Sequence, residues 1–384
     1  MSILCDEFEV IKENKKIAGK RYYSDNTTKS AAIIISHGFG GSMQDLEKEG
    51  HFFAQHGYVA ITFDYCGGSD PKRTKSSGET EEMNIFTERE DLVDVVNYIK
   101  GMDLVDNKKI ILMGYSQGGF VSGLVASYIP EDILSLVMVF PAICIPDHAR
   151  LGMLGGAVYD IENVPDSWEC PNGMVIGKQF HERVLDFDPY VELRKYKKNV
   201  LIIHGTEDSV VDYSYSVKAH RNYEKGQSHL QLVRNADHGF SPSVGESVLT
   251  SVLCFLQGKK EVLDIKVFLK GSKQLEKRTG YWKQEVYFGG YCDNEYFMGT
   301  IKDGAKDTQY QKEGEEVHLK AEYELEGIDC EGNKCSISII NEKDGEFFKP
   351  RVKTDSEALS FLNSADLVAT LEEFENGLSV RIYG

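Results

Sequence analysis

One pentapeptide constrains the fold of this chain more than any other feature. Residues 114–118 read Gly-Tyr-Ser-Gln-Gly, a G-x-S-x-G pattern, and they join an apolar run at 109–113 to a small, apolar segment at 118–128. The run is typical of a buried strand, and the segment after it of a helix packed on a sheet. This context predicts a turn so tight that glycine is needed on both sides, with the serine exposed above the sheet on a strained backbone. The alternative is a Gly/Ser turn that only joins a strand to a helix.

Strand-like and helix-like segments alternate over the first two thirds of the chain. Strands are predicted at 31–35, 58–63, 109–113, 135–140, 199–203 and 230–233, and helices at 45–56, 88–100, 118–128 and 243–256. Continuous apolar strands separated by helices predict a mostly parallel sheet that helices cover on both faces. The fold class is therefore α/β in this part of the chain.

The stretch from about 141 to 187 interrupts this alternation. It is rich in glycine and proline and shows no clear periodicity, which is typical of segments that are either functional or disordered. Its apolar and aromatic residues, such as Leu151, Tyr159 and Trp168, argue against disorder. We interpret it as a small cap insertion over the functional end of the sheet.

The pattern changes again near residues 258–260. From about residue 262 onward helical spacing disappears, and apolar and polar residues alternate, for example at 317–323 and 378–383. Alternation with a period of two is the pattern of half-buried strands. The chain is therefore predicted to hold two domains, an α/β domain at 1–258 and an all-β domain at 262–384, as a barrel or a sandwich.

A serine hydroxyl becomes a nucleophile only when a base takes its proton, and a carboxylate usually orients that base. His238 follows the last predicted strand of the α/β part, and Asp208 follows the strand before it. With Ser116 they occur in the order serine, acid, histidine, so all three are expected at the carboxyl edge of the sheet. Glu207 and Asp212 compete with Asp208 for the acidic role, and a surface-loop position is the alternative for His238.

A glycine-rich loop is expected to complete this constellation. Residues 37–41 read His-Gly-Phe-Gly-Gly and follow the first buried strand, where such a loop donates a backbone N–H to a developing oxyanion. Phe39 is predicted to supply one N–H and Gln117 the other. The alternative is a tight turn that binds nothing.

Composition limits the partners. The formal net charge is −18 and the pI is about 5.1, which disfavours nucleic acid and anionic membrane surfaces. The first residues lack the pattern of a secretory signal, and the eight cysteines are scattered singly, so we expect free thiols and a cytoplasmic protein. No metal or cofactor is expected, since hydrolysis by this triad uses none. The expected partner is a small-molecule ester, and a homodimer is left open.

The motifs together resemble the α/β-hydrolase superfamily over about residues 1–258, and within it bacterial cinnamoyl and feruloyl esterases. The segments that carry the resemblance are 37–41, 63–65, 114–119, 204–211 and 237–240. The resemblance implies Ser116, Asp208 and His238 as the catalytic triad, with Phe39 and Gln117 as oxyanion donors. It also implies that the insertion is a cap that binds a phenolic ring.

Within the cap, Asp147, Tyr159 and Gln179 are the predicted contacts to a phenolic hydroxyl. The C-terminal part resembles a bacterial family of small β-barrel domains of unknown function, on the segments 293–299, 307–309 and 378–383. That second resemblance implies a fold and no activity.

These observations predict a serine carboxylesterase that cleaves aryl-acyl esters, with hydroxycinnamoyl and feruloyl esters as the leading substrates. One alternative is a lipase-like or thioesterase activity on aliphatic acyl groups. Another is that the C-terminal domain is a carbohydrate- or partner-binding module and carries the main function of the chain.

Overall fold

A computed structural model describes residues 2–12, 15–374 and 377–384. The chain divides into two compact units, Met1–Gly239 and Phe240–Gly384. The predicted helix at 243–256 falls in the second unit, whereas the sequence analysis placed it in the first domain. The predicted limits of independently folding domains, 1–258 and 262–384, stay a prediction. No helix in the described part of the chain has the length and apolarity needed to cross a membrane.

The elements of the first unit follow the predicted alternation. Its strands are β1 (Ile3–Lys12), β2 (Lys15–Ser24), β3 (Ser30–Ser36), β4 (Val59–Phe63), β5 (Val105–Tyr115), β6 (Ile133–Val139), β7 (Met153–Leu154), β8 (Ala157–Val158), β9 (Ser167–Glu169), β10 (Val175–Gly177), β11 (Asn199–Gly205) and β12 (Ser228–Val233). Its helices are α1 (Glu47–Gln55), α2 (Ile85–Lys100), α3 (Gln117–Tyr128), α4 (Ile145–Arg150), α5 (Lys178–Val184), α6 (Pro189–Leu193) and α7 (Ser214–Asn222).

Eight of these strands form one sheet, in the order β1-β2-β4-β3-β5-β6-β11-β12. From β4 to β12 all neighbours are parallel, and only β1 and β2 run antiparallel to theirs. The prediction of a mostly parallel sheet is confirmed. Because β3, β5, β6, β11 and β12 point the same way, the loops that follow them meet at one edge.

Helix α2 shows how local sequence sets an element beside the sheet. The Asn84 side chain accepts hydrogen bonds from the backbone N–H groups at the helix start, and the Thr87 side chain accepts one from the Asn84 N–H. This reciprocal capping satisfies N–H groups that a helix cannot pair internally. Leu92, Val95 and Ile99 recur at helical spacing and are fully buried, so this face packs into the core.

The predicted insertion contains secondary structure rather than an irregular loop. Helix α4 leads into two short hairpins, β7–β8 and β9–β10, and α5 and α6 return the chain to β11. Met174 and Asn172 lie against Gly40, and Gly155 lies against the ring of Phe39. The insertion therefore packs on the glycine-rich loop.

In its described residues, the second unit holds one α-helix, a short 3₁₀ helix at Ser360–Asn363 and a closed ring of strands. Its elements are α8 (Pro242–Leu256), β13 (Glu261–Arg278), β14 (Tyr281–Asp293), β15 (Phe297–Ile301), β16 (Lys306–Lys312), β17 (His318–Asp329), β18 (Lys334–Asp344), β19 (Phe347–Thr354), β20 (Val368–Phe374) and β21 (Gly377–Tyr383). The nine strands are antiparallel, and β13 pairs with both β21 and β14, which closes the sheet on itself. The predicted all-β character of this region is confirmed.

Helix α8 packs on the last strands of the ring. Ser247 donates to the backbone carbonyl of Leu371 at 2.6 Å, and the Ser251 hydroxyl lies 2.8 Å from the hydroxyl of Tyr383. Cys254 on the same helix is buried against Val368. These contacts explain why α8 groups with the second unit.

Candidate active site

Ser116 lies at the sharp turn between β5 and α3, as the pentapeptide predicts. Its φ of 53° is in a region that non-glycine residues rarely adopt. A Cβ on Gly114 would lie 2.3 Å from the carbonyl oxygen of Gly118, and a Cβ on Gly118 would lie 2.2 Å from that of His37. Only glycine fits at these two positions. The Ser116 N–H donates to the Val139 carbonyl at 2.9 Å, which ties the turn to the adjacent strand.

The predicted base and acid converge on this serine. His238 Nε2 lies 3.2 Å from Ser116 Oγ, and His238 Nδ1 lies 2.8 Å from Asp208 Oδ2. The ring of Phe140 packs on the imidazole with 4.5 Å between ring centroids. Three side chains that lie up to 122 positions apart in sequence therefore form one hydrogen-bonded chain at the carboxyl edge of the sheet.

Asp208 is held from several directions. Its side chain is fully buried and accepts hydrogen bonds from the N–H groups of Val210 and Val211, and it lies 3.1 Å from His204 Nε2. Although burial acts to raise the pKa of Asp208, hydrogen bonds from His204 and His238 bring that pKa well below its usual range. The carboxylate therefore stays ionised near neutral pH, and it can stabilise a charged imidazole.

The competing acids make no described hydrogen bond to the imidazole of His238. Asp212 accepts the backbone N–H of Ser214 at 2.8 Å, and Glu207 is exposed. Asp237 accepts hydrogen bonds from Ser209 and from the backbone N–H of His238 at 2.7 Å, so it contacts the histidine's backbone and not its ring. Of the candidates weighed from sequence, Asp208 is the one beside the imidazole.

The glycine-rich loop lies beside the serine. A Cβ on Gly38 would lie 3.2 Å from Ser116 Cβ, so this part of the loop touches the turn that carries Ser116. Buried His37 fixes the loop, with Nδ1 2.7 Å from the Gly38 carbonyl and Nε2 2.7 Å from Ser69 Oγ. Burial lowers the pKa of His37, which keeps the ring neutral, with Nδ1 as donor and Nε2 as acceptor.

Some of the backbone N–H groups near Ser116 are already paired. The N–H of Gly40 donates to the Gly68 carbonyl at 3.2 Å, and that of Gly41 donates to the Gly38 carbonyl at 3.0 Å. In the described part of the chain, the N–H groups of Phe39 and Gln117 make no hydrogen bond to the backbone or to a side chain. These are the two groups that the sequence predicts as oxyanion donors.

Gln117 is held in place by Glu88, a residue that the sequence analysis did not single out as functional. The Gln117 side-chain amide donates to Glu88 Oε2 at 2.8 Å, and both side chains are buried. Burial raises the pKa of Glu88 to about 8. The carboxyl is therefore mostly protonated at neutral pH, and it contacts the residue that directly follows Ser116.

Replacing Glu88 with glutamine is expected to make the protein's stability less sensitive to pH. In the unfolded chain Glu88 ionises near its ordinary pKa, whereas in the folded state it holds its proton to about pH 8. Between these two pKa values Glu88 loses its proton in the unfolded state but keeps it in the folded state, so its contribution to wild-type stability falls as pH rises. The Glu88→Gln variant lacks this titration, and its side-chain oxygen still accepts from Gln117. The free energy of unfolding of the variant minus that of wild type should therefore rise by a few kcal/mol between pH 5 and pH 8.

Urea unfolding at several pH values measures this difference, and Glu90→Gln is the matched control. Glu90 is an exposed carboxylate on the same helix. The control should track wild type across the pH range. Parallel stability curves for Glu88→Gln and wild type would contradict the expectation.

Each predicted substrate contact has a partner within the unit. Asp147 pairs with Arg150 at 2.7 Å, and the Tyr159 hydroxyl lies 2.8 Å from His181 Nδ1. Gln179 donates to the Glu81 carbonyl at 2.9 Å. No described hydrogen bond links these three side chains to Ser116, Asp208 or His238, and their contact with substrate stays a prediction.

Comparison with known proteins agrees with this geometry. A family model described as the alpha/beta hydrolase fold matches residues 31–153. Est1E from Butyrivibrio proteoclasticus, solved with ferulic acid bound, superposes with a TM-score of 0.59 and 27% identity over 65% of this chain and 98% of that one. The first unit has the α/β-hydrolase fold.

Other relatives of the α/β-hydrolase unit are more distant. The hydrolase GrgF from Penicillium sp. sh18 shares the fold, with a TM-score of 0.54 and 18% identity over 66% of this chain and 98% of that one. An uncharacterised 31.7 kDa protein of the traX-finO intergenic region of Escherichia coli is 32% identical over 96 residues. That match spans 25% of this chain and about a third of the relative, 32% of its length. The resemblance to α/β-hydrolases, and among them to a protein that holds ferulic acid, is confirmed.

Proposed function

We propose that the α/β-hydrolase unit is a serine carboxylesterase that cleaves aryl-acyl esters, with hydroxycinnamoyl and feruloyl esters as its substrates. The observation that carries the proposal is the chain of hydrogen bonds from Asp208 through His238 to Ser116, at 2.8 Å and 3.2 Å. The likeness to Est1E, which binds ferulic acid, supports the choice of an aromatic acyl group.

In the proposed first step, Ser116 Oγ attacks the ester carbonyl carbon while its proton passes to His238 Nε2. The carbonyl oxygen becomes an oxyanion that accepts from the N–H groups of Phe39 and Gln117, each donor contributing about 3 kcal/mol. Asp208 stabilises the imidazolium that forms. The intermediate then collapses: the bond to the alcohol breaks, and His238 protonates the leaving alkoxide.

The second half-reaction repeats the first with water as the nucleophile. Water attacks the acyl-enzyme carbonyl and gives a proton to His238. The bond to Ser116 breaks, the serine oxygen regains that proton, and the carboxylic acid leaves. The net reaction converts an ester and water into an acid and an alcohol, and each step uses groups of the chain alone.

A substrate panel tests the acyl specificity. We expect kcat/KM for methyl ferulate and methyl p-coumarate to exceed that for methyl butyrate and methyl octanoate by at least about tenfold, since an apolar pocket that fits a ring gains about 1–3 kcal/mol. Esters with the same alcohol isolate the acyl group. A preference for the octanoyl ester would favour the lipase-like or thioesterase alternative, and acetyl-xylan or starch binding without ester hydrolysis would favour a binding module.

We also propose a cytoplasmic location. All eight cysteines are unpaired, and Cys5 and Cys330 are exposed. Exposed thiols persist in reducing compartments, which supports this location.

A further inference from the structure

The closed ring of the second unit surrounds a cavity of about 350 Å³. Alternate residues from eight of its nine strands line the space, which places it on the inner face of the sheet. The lining is mainly apolar and includes Val267, Phe288, Leu371 and Val380. A space of this size is large enough for a small organic ligand.

The interior of the ring is packed with side chains at one end and hollow at the other, as the inward-facing residues of β17 show. Along β17 the inward positions are Leu319, Ala321, Tyr323 and Leu325. Leu325 is fully buried in the core, whereas Leu319 and Ala321 are only partly buried. A ligand that covered them would remove their apolar surface from water, which favours binding.

Two polar atoms in the lining have no partner. Tyr323 is 8% exposed and Asn341 is 4% exposed, and the Tyr323 hydroxyl and Asn341 Oδ1 are buried without a hydrogen bond. Asn341 lies opposite Ala321 across β17 and β18, so it is the diagonal neighbour of Tyr323 on the same face. A buried polar group without a partner is unfavourable, and a ligand that pairs with both groups would remove that cost.

The charges at the cavity select a neutral ligand. No lysine, arginine or histidine is among its described lining residues, so an anion would lack a counter-ion. Asp307 is the one carboxyl group there, and it accepts from the Gln309 side chain at 2.6 Å. An ionised Asp307 would also repel an anionic ligand, because charges in this poorly hydrated space are weakly screened.

We propose that this cavity binds a small uncharged molecule with an apolar body and one hydroxyl group, an aliphatic alcohol or a phenol. The ligand hydroxyl accepts from the Tyr323 hydroxyl and donates to Asn341 Oδ1, while its body lies among Val267, Phe288 and Leu371. The pairing satisfies both buried polar atoms at once. It gives the second unit a binding role separate from the ester-cleaving site.

Isothermal titration of the full chain with thymol tests the proposal, because thymol is an uncharged phenol with an apolar ring and branch. We expect one thymol to bind in the second unit, and p-cymene, which lacks only the hydroxyl, to bind about fivefold more weakly. Cuminate, of similar size but anionic, should bind at least about tenfold more weakly than thymol.

Three variants locate the site. Tyr323→Phe should weaken thymol about fivefold and leave p-cymene unchanged, since it removes one hydroxyl and little volume. Ala321→Phe should abolish binding of both by filling the cavity. Tyr310→Phe is the matched control, because Tyr310 follows inward-facing Gln309 on β16 and so lies on the outer face of the ring.

Thermal unfolding identifies variants that remain folded, and Tyr323→Phe decides the test if Ala321→Phe does not fold. No heat of binding up to the solubility limit of thymol would overturn the proposal. An unchanged affinity of the Tyr323→Phe variant for thymol would also overturn the proposal, because the ligand would then bind elsewhere.

Discussion

Replacing Ser116 with alanine is expected to lower kcat for methyl ferulate hydrolysis by roughly 10⁵-fold or more, the scale of nucleophile loss in serine hydrolases. Alanine keeps the backbone of the turn and removes only the oxygen that His238 Nε2 faces at 3.2 Å. No acyl-enzyme can then form. Steady-state rates with a sensitive chromatographic readout of ferulate measure the loss.

Ser364→Ala is the control for the Ser116 variant, because Ser364 is an exposed serine of the second unit. It should retain wild-type rates, and both variants should unfold at the wild-type temperature. A burst of alcohol release before steady state should appear in wild type and disappear in Ser116→Ala. Hydrolysis by Ser116→Ala at the wild-type rate would refute the proposed nucleophile.

Replacing Asp208 with asparagine is expected to lower kcat by about 10⁴-fold. In wild type Asp208 Oδ2 accepts the Nδ1–H of His238 at 2.8 Å, which leaves Nε2 free to take the serine proton. An asparagine amide that donates to Nδ1 favours the tautomer with hydrogen on Nε2, and that ring cannot act as the base. The imidazolium also loses its negative partner.

Asp237→Asn is the matched control, since Asp237 precedes the histidine and contacts its backbone N–H rather than its ring. We expect its rate to stay within about tenfold of wild type. Equal losses in the two variants would mean that the acid has been assigned to the wrong residue. A small loss in Asp208→Asn with a large loss in Asp237→Asn would reverse the assignment.

The constellation was predictable because each of its parts follows a strand. Ser116, Asp208 and His238 come directly after buried apolar runs or shortly beyond them, and parallel strands deliver their carboxyl ends to one edge. The choice among nearby acids was harder. Asp208 and Asp212 are both close to β11 in sequence, and only the path of the loop decides which carboxylate reaches the imidazole.

The supporting residues were not predictable in the same way. His204 contacts Asp208, and Phe140 packs on His238, yet in sequence both are the ends of apolar strands. His204 lies in the segment 204–211 that carries the family resemblance, but nothing in that segment predicts its contact with Asp208. Glu88 offered one signal, a carboxylate in the first turn of a helix, but this is also what a helix start ordinarily carries.

Local sequence by itself determined the parallel strands of the main sheet, four of the helices, where the tight turn at Ser116 must be, and that the last third of the chain is all β. It did not determine the helices and hairpins of the insertion. Periodicity and the need for glycine at a crowded turn are properties of neighbouring residues, so the printed sequence contains them. Tertiary structure decided the rest. β13 is 18 residues long and pairs with β21 along its first part and with β14 along its later part, with register shifts near Leu269 and Gln274, and the two pairings close the ring. The cavity and the unpaired groups of Tyr323 and Asn341 exist only after that closure, because pairing between distant strands depends on how whole elements fit together.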